Sequence, residues 1–178
     1  MKYFFLAFLI QLTGIIAFAQ EYKPMDEGSS VTFTIKNLGF DTKGSIKGLQ
    51  GKIQFDPGDL STAGFDVSVD AATINTDNSM RDEHLKGASY FDVQNHPRIH
   101  FVSTGIRPSD KAGSYIISGK LTIKDKTQDI TFPFIATTAG NDYIFSGSFK
   151  INRKDFSIGG TSTISNSLII SLTVLARK

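Results

Sequence analysis

The sequence predicts an all-β domain: an antiparallel barrel or sandwich of about eight strands, interrupted once by a short helical insertion near 78–86 that caps one end. Three observations predict it. Apolar and polar residues alternate in run after run. Turn residues separate the runs at hairpin-length gaps. One polar segment alone abandons the period of two.

The first stretch stands outside the fold. Lys2 is followed by a mostly apolar run from Phe4 to Ile16, and Ala17-Phe18-Ala19 places small residues where a signal peptidase needs them. The run is short for a membrane span and contains Gln11, Thr13 and Gly14. Residues 1–19 are therefore expected to be a secretory signal peptide cut before Gln20. Residues 20–178 then form one exported domain with no integral membrane span.

The strands follow in order. Val31, Phe33 and Ile35 alternate with Thr32, Thr34 and Lys36; Ile53 and Phe55 flank Gln54; Phe65, Val67 and Val69 alternate with Asp66 and Ser68. After the insertion come Ile99 and Phe101, Leu121 and Ile123, Ile130, Phe132 and Phe134, then Tyr143 to Ile151, and finally Ile170, Leu172 and Val174. Such alternation marks strands with one buried and one wet face. Asp56-Pro57-Gly58, Pro108 to Gly113, Asp125-Lys126 and Gly140-Asn141-Asp142 are the punctuation. Gly39, Gly44, Gly48 and Gly51 lack a following helix, so they read as bends of a coiling sheet rather than a phosphate loop. Pro133 cannot donate to a ladder and suggests an edge or bulged strand, which could block or permit homodimer pairing.

The exception spans 76–96. Asn78 or Ser79 can cap a helix, Asp82 and Glu83 suit its first turns, Lys86 its last, and Gly87 its stop.

Composition narrows the function classes. The chain has 178 residues, a net charge of +2, no cysteine, no tryptophan and 15 phenylalanines. Near-neutrality gives no general field for nucleic acid. Lack of cysteine removes disulfides, thiol catalysis and Cys-zinc sites. Arg81, Asp82, Glu83 and His84 form the densest polar cluster, but adjacent helix positions do not converge on one ion. Arg81, Asp82 and His84 are therefore expected to be structural, with Arg81 bridging carboxylates and His84 bonded to backbone beneath the helix. No catalytic residue, metal site or cofactor is expected. His96 and His100 read as surface or hydrogen-bonded histidines. The phenylalanines fit either a self-filled core or an apolar cavity, and an eight-stranded barrel is wide enough for both.

The order of motifs carries a resemblance. Ser30-Val31-Thr32-Phe33-Thr34-Ile35-Lys36-Asn37-Leu38-Gly39, Gly51-Lys52-Ile53-Gln54-Phe55-Asp56-Pro57, Arg81-Asp82 with His84-Leu85, Tyr90-Phe91-Asp92-Val93, His96-Pro97 and Asn152-Arg153-Lys154-Asp155-Phe156 occur in sequence. Together they resemble the YceI-like family of exported polyisoprenoid-binding proteins, over about 22 to 177. The resemblance implies an extended lipocalin-like barrel, closed at one end by the insertion. It also implies a periplasmic location and a non-catalytic role, with one isoprenoid lipid, such as a polyprenyl phosphate or a quinone, in the channel. The family's opening His-Ser is Gly28-Ser29-Ser30 here, its Lys-His-Leu-Gly is Lys36-Asn37-Leu38-Gly39, and the Gly often found after Asp-Phe is Ser157.

Alternation assigns Phe33, Ile35, Phe55, Val67, Phe101, Leu121, Phe132 and Phe149 to the channel lining that would bind the tail. Lys36, Lys43 and Lys47 are candidates for the head group by proximity in sequence. Two alternatives stand beside this reading. One is a structural or interaction module with a self-filled core. The other is a binder of a different amphiphile, such as a fatty acid or fatty amide.

Overall fold

Eight strands realise the alternation. They are β1 (Glu21–Asn37), β2 (Phe40–Gln54), β3 (Gly64–Asn75), β4 (Arg98–Pro108), β5 (Ser114–Ile123), β6 (Lys126–Ala139), β7 (Asp142–Asn152) and β8 (Ile164–Arg177). In this computed structural model the described residues are 20–160 and 163–178, so the expected signal peptide lies outside them. Each strand pairs antiparallel with the next, and β8 returns to β1, which closes the barrel. Closure settles the choice between barrel and sandwich, and it gives every strand a paired neighbour on both sides over at least part of its length.

The helix α1 (Ser79–Lys86) falls where capping residues place it. Asn78 Oδ1 accepts the Arg81 N–H at 3.0 Å, and the Gly87 N–H closes the last turn on the His84 carbonyl. Its Leu85 packs against Ile46, Val69 and Ile74, so the helix leans across the barrel end that carries the β3–β4 link. A 3-10 turn, Arg153–Phe156, begins the β7–β8 link at the same end, with Phe156 fully buried.

The opposite end is sealed by aromatic rings. Phe55 is 1% exposed and meets Tyr115, Tyr143 and Phe145 edge-on, with centroids 5.1–5.3 Å apart. Tyr22, Ile53, Ile117, Phe134 and Ala176 complete this plug. Such edge-to-face packing is favourable beyond simple area burial.

Two features of the wall need irregular backbone. At Gly51 φ is +126°, and a Cβ there would run into the Asp66 carbonyl, so β2 approaches β3 as only glycine allows. The β2–β3 register shifts between Ser45 and Gln50, around Gly48 at φ +77°. These are the bends the glycines suggested.

Pro133 differs from expectation. Its strand is internal to a closed barrel, and it pairs in register with Ile116 of β5. The ladder to β7, however, runs only from Phe134–Gly147 to Ala139–Asp142. Below it, β6 up to Pro133 and β7 beyond Gly147 are not laddered to each other. Proline has no N–H to continue the ladder, which accounts for the stop at that point. The seam is spanned by side chains instead. Phe132 stacks on Phe149 at 4.3 Å, and Gln128 Nε2 donates to the Asp155 carbonyl at 3.0 Å.

Candidate functional site

Between the aromatic plug and α1 the barrel encloses a cavity of about 250 Å³. Phe33 and Ile35 come from β1, Val67 from β3, Phe101 from β4, Leu121 from β5, Phe132 from β6 and Phe149 from β7, and all seven border it. Each sits on the inward parity of its strand, which is why alternation could assign them. Phe55 does not border it. Placed at the very end of the inward row, just past β2, it is the hub of the plug.

The links add lining that alternation could not supply. Leu85 of α1, Tyr90 and Phe91 beyond it, and Ile158 after the 3-10 turn all reach the cavity. At the helix end the cavity meets a second hollow bordered by Asn78, Met80, Arg81, His84, Leu85, Tyr90 and Ile164. The two share Arg81, Leu85, Tyr90 and Ile164, and the second hollow forms a vestibule beside the cavity.

The polar cluster on α1 is arranged differently from expectation. Arg81 bridges no carboxylate: its Nε donates to Thr76 Oγ1 at 2.7 Å and its Nη2 to the Thr76 carbonyl at 2.6 Å. Asp82 Oδ1 accepts from the Thr76 N–H at 2.9 Å and from Thr76 Oγ1 at 2.5 Å. Thr76 is 5% exposed, so a buried threonine, invisible to motif reading, organises both charges. His84 does not bond to backbone beneath the helix. It is exposed and borders the vestibule. Arg153, 5% exposed, donates to the carbonyls of Ile158, Gly160, Ile164 and Ser165 and so ties the β7–β8 link across the barrel end.

The three candidate lysines face outward. Lys36 pairs with Asp41 at 2.9 Å on the outer surface, while its neighbours Ile35 and Asn37 border the cavity. Lys43 and Lys47 are exposed and alternate with the inward Thr42 and Ile46. The other histidines lie by carboxylates, His100 Nε2 at 2.6 Å from Asp66 Oδ1 and His96 Nε2 at 3.9 Å from Asp92 Oδ2. Among the described residues, no three of His, Asp and Glu gather to hold a metal ion. Titration is perturbed in the plug: burial pushes the Tyr22 and Tyr143 phenols up, with nearby tyrosines and Asp56 adding to it.

A closed antiparallel barrel with an apolar cavity, packed with rings at one end and flanked by a vestibule beside a helix at the other, belongs to the class of small hydrophobic-ligand barrels. The YceI-like domain family matches residues 22–176, and the chain belongs to that family. It is 31% identical over 188 residues to Protein YceI of Salmonella arizonae, covering 98% of this chain and 96% of that protein. Among solved structures it is similar to BcnA of Burkholderia cenocepacia, with TM-score 0.81 and 25% identity over 85% of this chain and 98% of that one. A polyisoprenoid-binding domain from Saccharophagus degradans, implicated in plant cell wall breakdown, shares the fold at TM-score 0.70 and 12% identity, over 88% of this chain and 97% of its own.

Proposed function

We propose that this chain is a non-catalytic, exported carrier of an isoprenoid lipid, whose tail occupies the cavity and whose head lies in the vestibule. The observation that carries this reading is a cavity walled by phenylalanine, isoleucine, leucine and valine from every strand, with its two arginines, Arg81 and Arg153, at the helix end. A hydrocarbon tail makes no hydrogen bonds, so its affinity must come from apolar area removed from water. The family and the description of the Saccharophagus domain support the same class of ligand.

Size sharpens the reading. A cavity of roughly 150 Å³ lined by Leu, Ile and Phe holds one benzene. At the same density, about 250 Å³ has room for roughly ten tail carbons. A longer prenyl tail must part the wall, and the seam between β6 and β7 is where it gives most readily. There the Phe132–Phe149 stack, one side-chain hydrogen bond and apolar packing, without a backbone ladder, hold the two strands.

The plug half is self-filled, as an interaction module would require, but the helix half is not. Catalysis by Arg81, Asp82 and His84 has no support from the geometry: the first two are tied to Thr76, and His84 stands exposed at the vestibule with neither of them as a partner. The experiment is native mass spectrometry with organic extraction on residues 20–178, exported in an isoprenoid-producing host. A stoichiometric prenyl lipid is expected. A clean apo mass, with no uptake of added prenyl phosphate, quinone or fatty amide, contradicts the reading.

A further inference from the structure

Arg81 borders both the cavity and the vestibule. It therefore stands where a tail inside would leave its head. Two of its nitrogens are fixed. Nε and Nη2 both donate to Thr76, itself buried and held in turn by Asp82. A guanidinium offers five N–H donors. No hydrogen bond from Nη1 falls on any described residue, so donors remain for a ligand. The partners it does have are a neutral hydroxyl and a carbonyl, and among the described residues no ion pair joins it to a carboxylate.

The surroundings share this bias. Arg81, Arg153 and the Asp66-paired His100 border the cavity, and His84 borders the vestibule, while among the described residues no aspartate or glutamate borders either space. Arg153 spends its donors on backbone carbonyls, so it contributes charge rather than a hydrogen-bonding face. Its direct partners are neutral and Asp82 reaches it only through the Thr76 hydroxyl, so this half-buried cation keeps a donor face for an anion. An anionic oxygen completes it. A phosphate does so best, because the planar fork can donate two parallel bonds to it. A quinone carbonyl is neutral and asks for no such cation.

We propose that Arg81 is the head-group residue, and that this barrel takes lipids ending in a phosphate or diphosphate. The proposal rests on the carrier reading above, because it assumes that the tail lies in the channel.

The test measures dissociation constants for two probes with one tail, geranyl monophosphate and geraniol, in 0.1 M salt. The proteins are the wild type, Arg81→Gln and Arg81→Lys. The wild type is expected to prefer the phosphate by roughly 10- to 100-fold, the range of a charge-assisted hydrogen bond. Arg81→Gln should bring that ratio to within about threefold of unity, and Arg81→Lys should keep part of it. Equal affinity for the two probes in the wild type overturns the proposal without any variant, so a poorly folding Arg81→Gln does not shelter it. A ratio that survives in a folded Arg81→Gln overturns it too, as does an equal loss for both probes, which marks Arg81 as structural only. Failure of the wild type to bind either probe overturns the carrier reading itself.

Discussion

Removing the Phe149 ring tests the size argument. Phe149 stacks on Phe132 at 4.3 Å across the unladdered seam and borders the cavity. In the wild type, each carbon that fits inside should add up to ~0.8 kcal/mol, or about fourfold in affinity. The gain per carbon should fall beyond roughly ten carbons, where a longer tail must begin to part the stack. Phe149→Ala removes the six ring carbons. The break should therefore move outward by about six carbons, to roughly sixteen at the same packing. The cost to stability should be about 3 kcal/mol, the low end for a buried phenylalanine, because the ring borders existing space and closes no new void. The assay is displacement of a fluorescent apolar probe by straight-chain alcohols of increasing length, with thermal unfolding measured on the same samples. A break at the same length in both proteins refutes the reasoning. So does a series with constant gain per carbon well past ten in the wild type, since the resting cavity would then set no limit.

Phe33→Asp combined with Phe101→Asp puts two carboxylates on the cavity wall; lipid co-purification should be lost, checked by organic extraction of protein whose circular dichroism remains that of a β-barrel. Asp82→Asn should lower the melting temperature by about 3–10 °C, because charge-assisted bonds to buried Thr76 become neutral ones, while His84→Ala should move it by about 1 °C or less; both are read by calorimetry. The Tyr22 and Tyr143 phenols are held above their ordinary value near 10. The folded state thus keeps protons that the unfolded state releases, so their contribution is intact below about pH 10 and is lost as pH rises through the folded values. Denaturant midpoints between pH 9 and 12 should fall, and should fall less steeply in Tyr22→Phe with Tyr143→Phe.

The parts of this molecule that follow from period two were legible in the sequence. Val67 and Phe101 are adjacent across β3 and β4, and their inward parity comes directly from the alternation around them. The α1 boundaries were legible as well, because Asn78 and Gly87 act through local backbone hydrogen bonds. Phe55 shows where alternation runs out. Parity says that a residue points inward, but not how far along the axis the row becomes plug instead of cavity. The Arg81 geometry was hidden for another reason. Its partner Thr76 carries no charge and belongs to no motif, and only the turn between β3 and α1 brings the two together. The outward lysines show the converse error, since nearness in sequence ignores which face of a strand a side chain takes. Pro133 announced a broken ladder, but which neighbour it lost depended on barrel closure, a long-range property.

The most direct test of the channel claim is a crystal structure of the protein loaded with geranyl monophosphate. The account predicts continuous tail density between Phe33, Phe101 and Phe149, ending at the vestibule beside Arg81. Density for the lipid only on the outer surface, with the cavity closed by its own side chains, would contradict it.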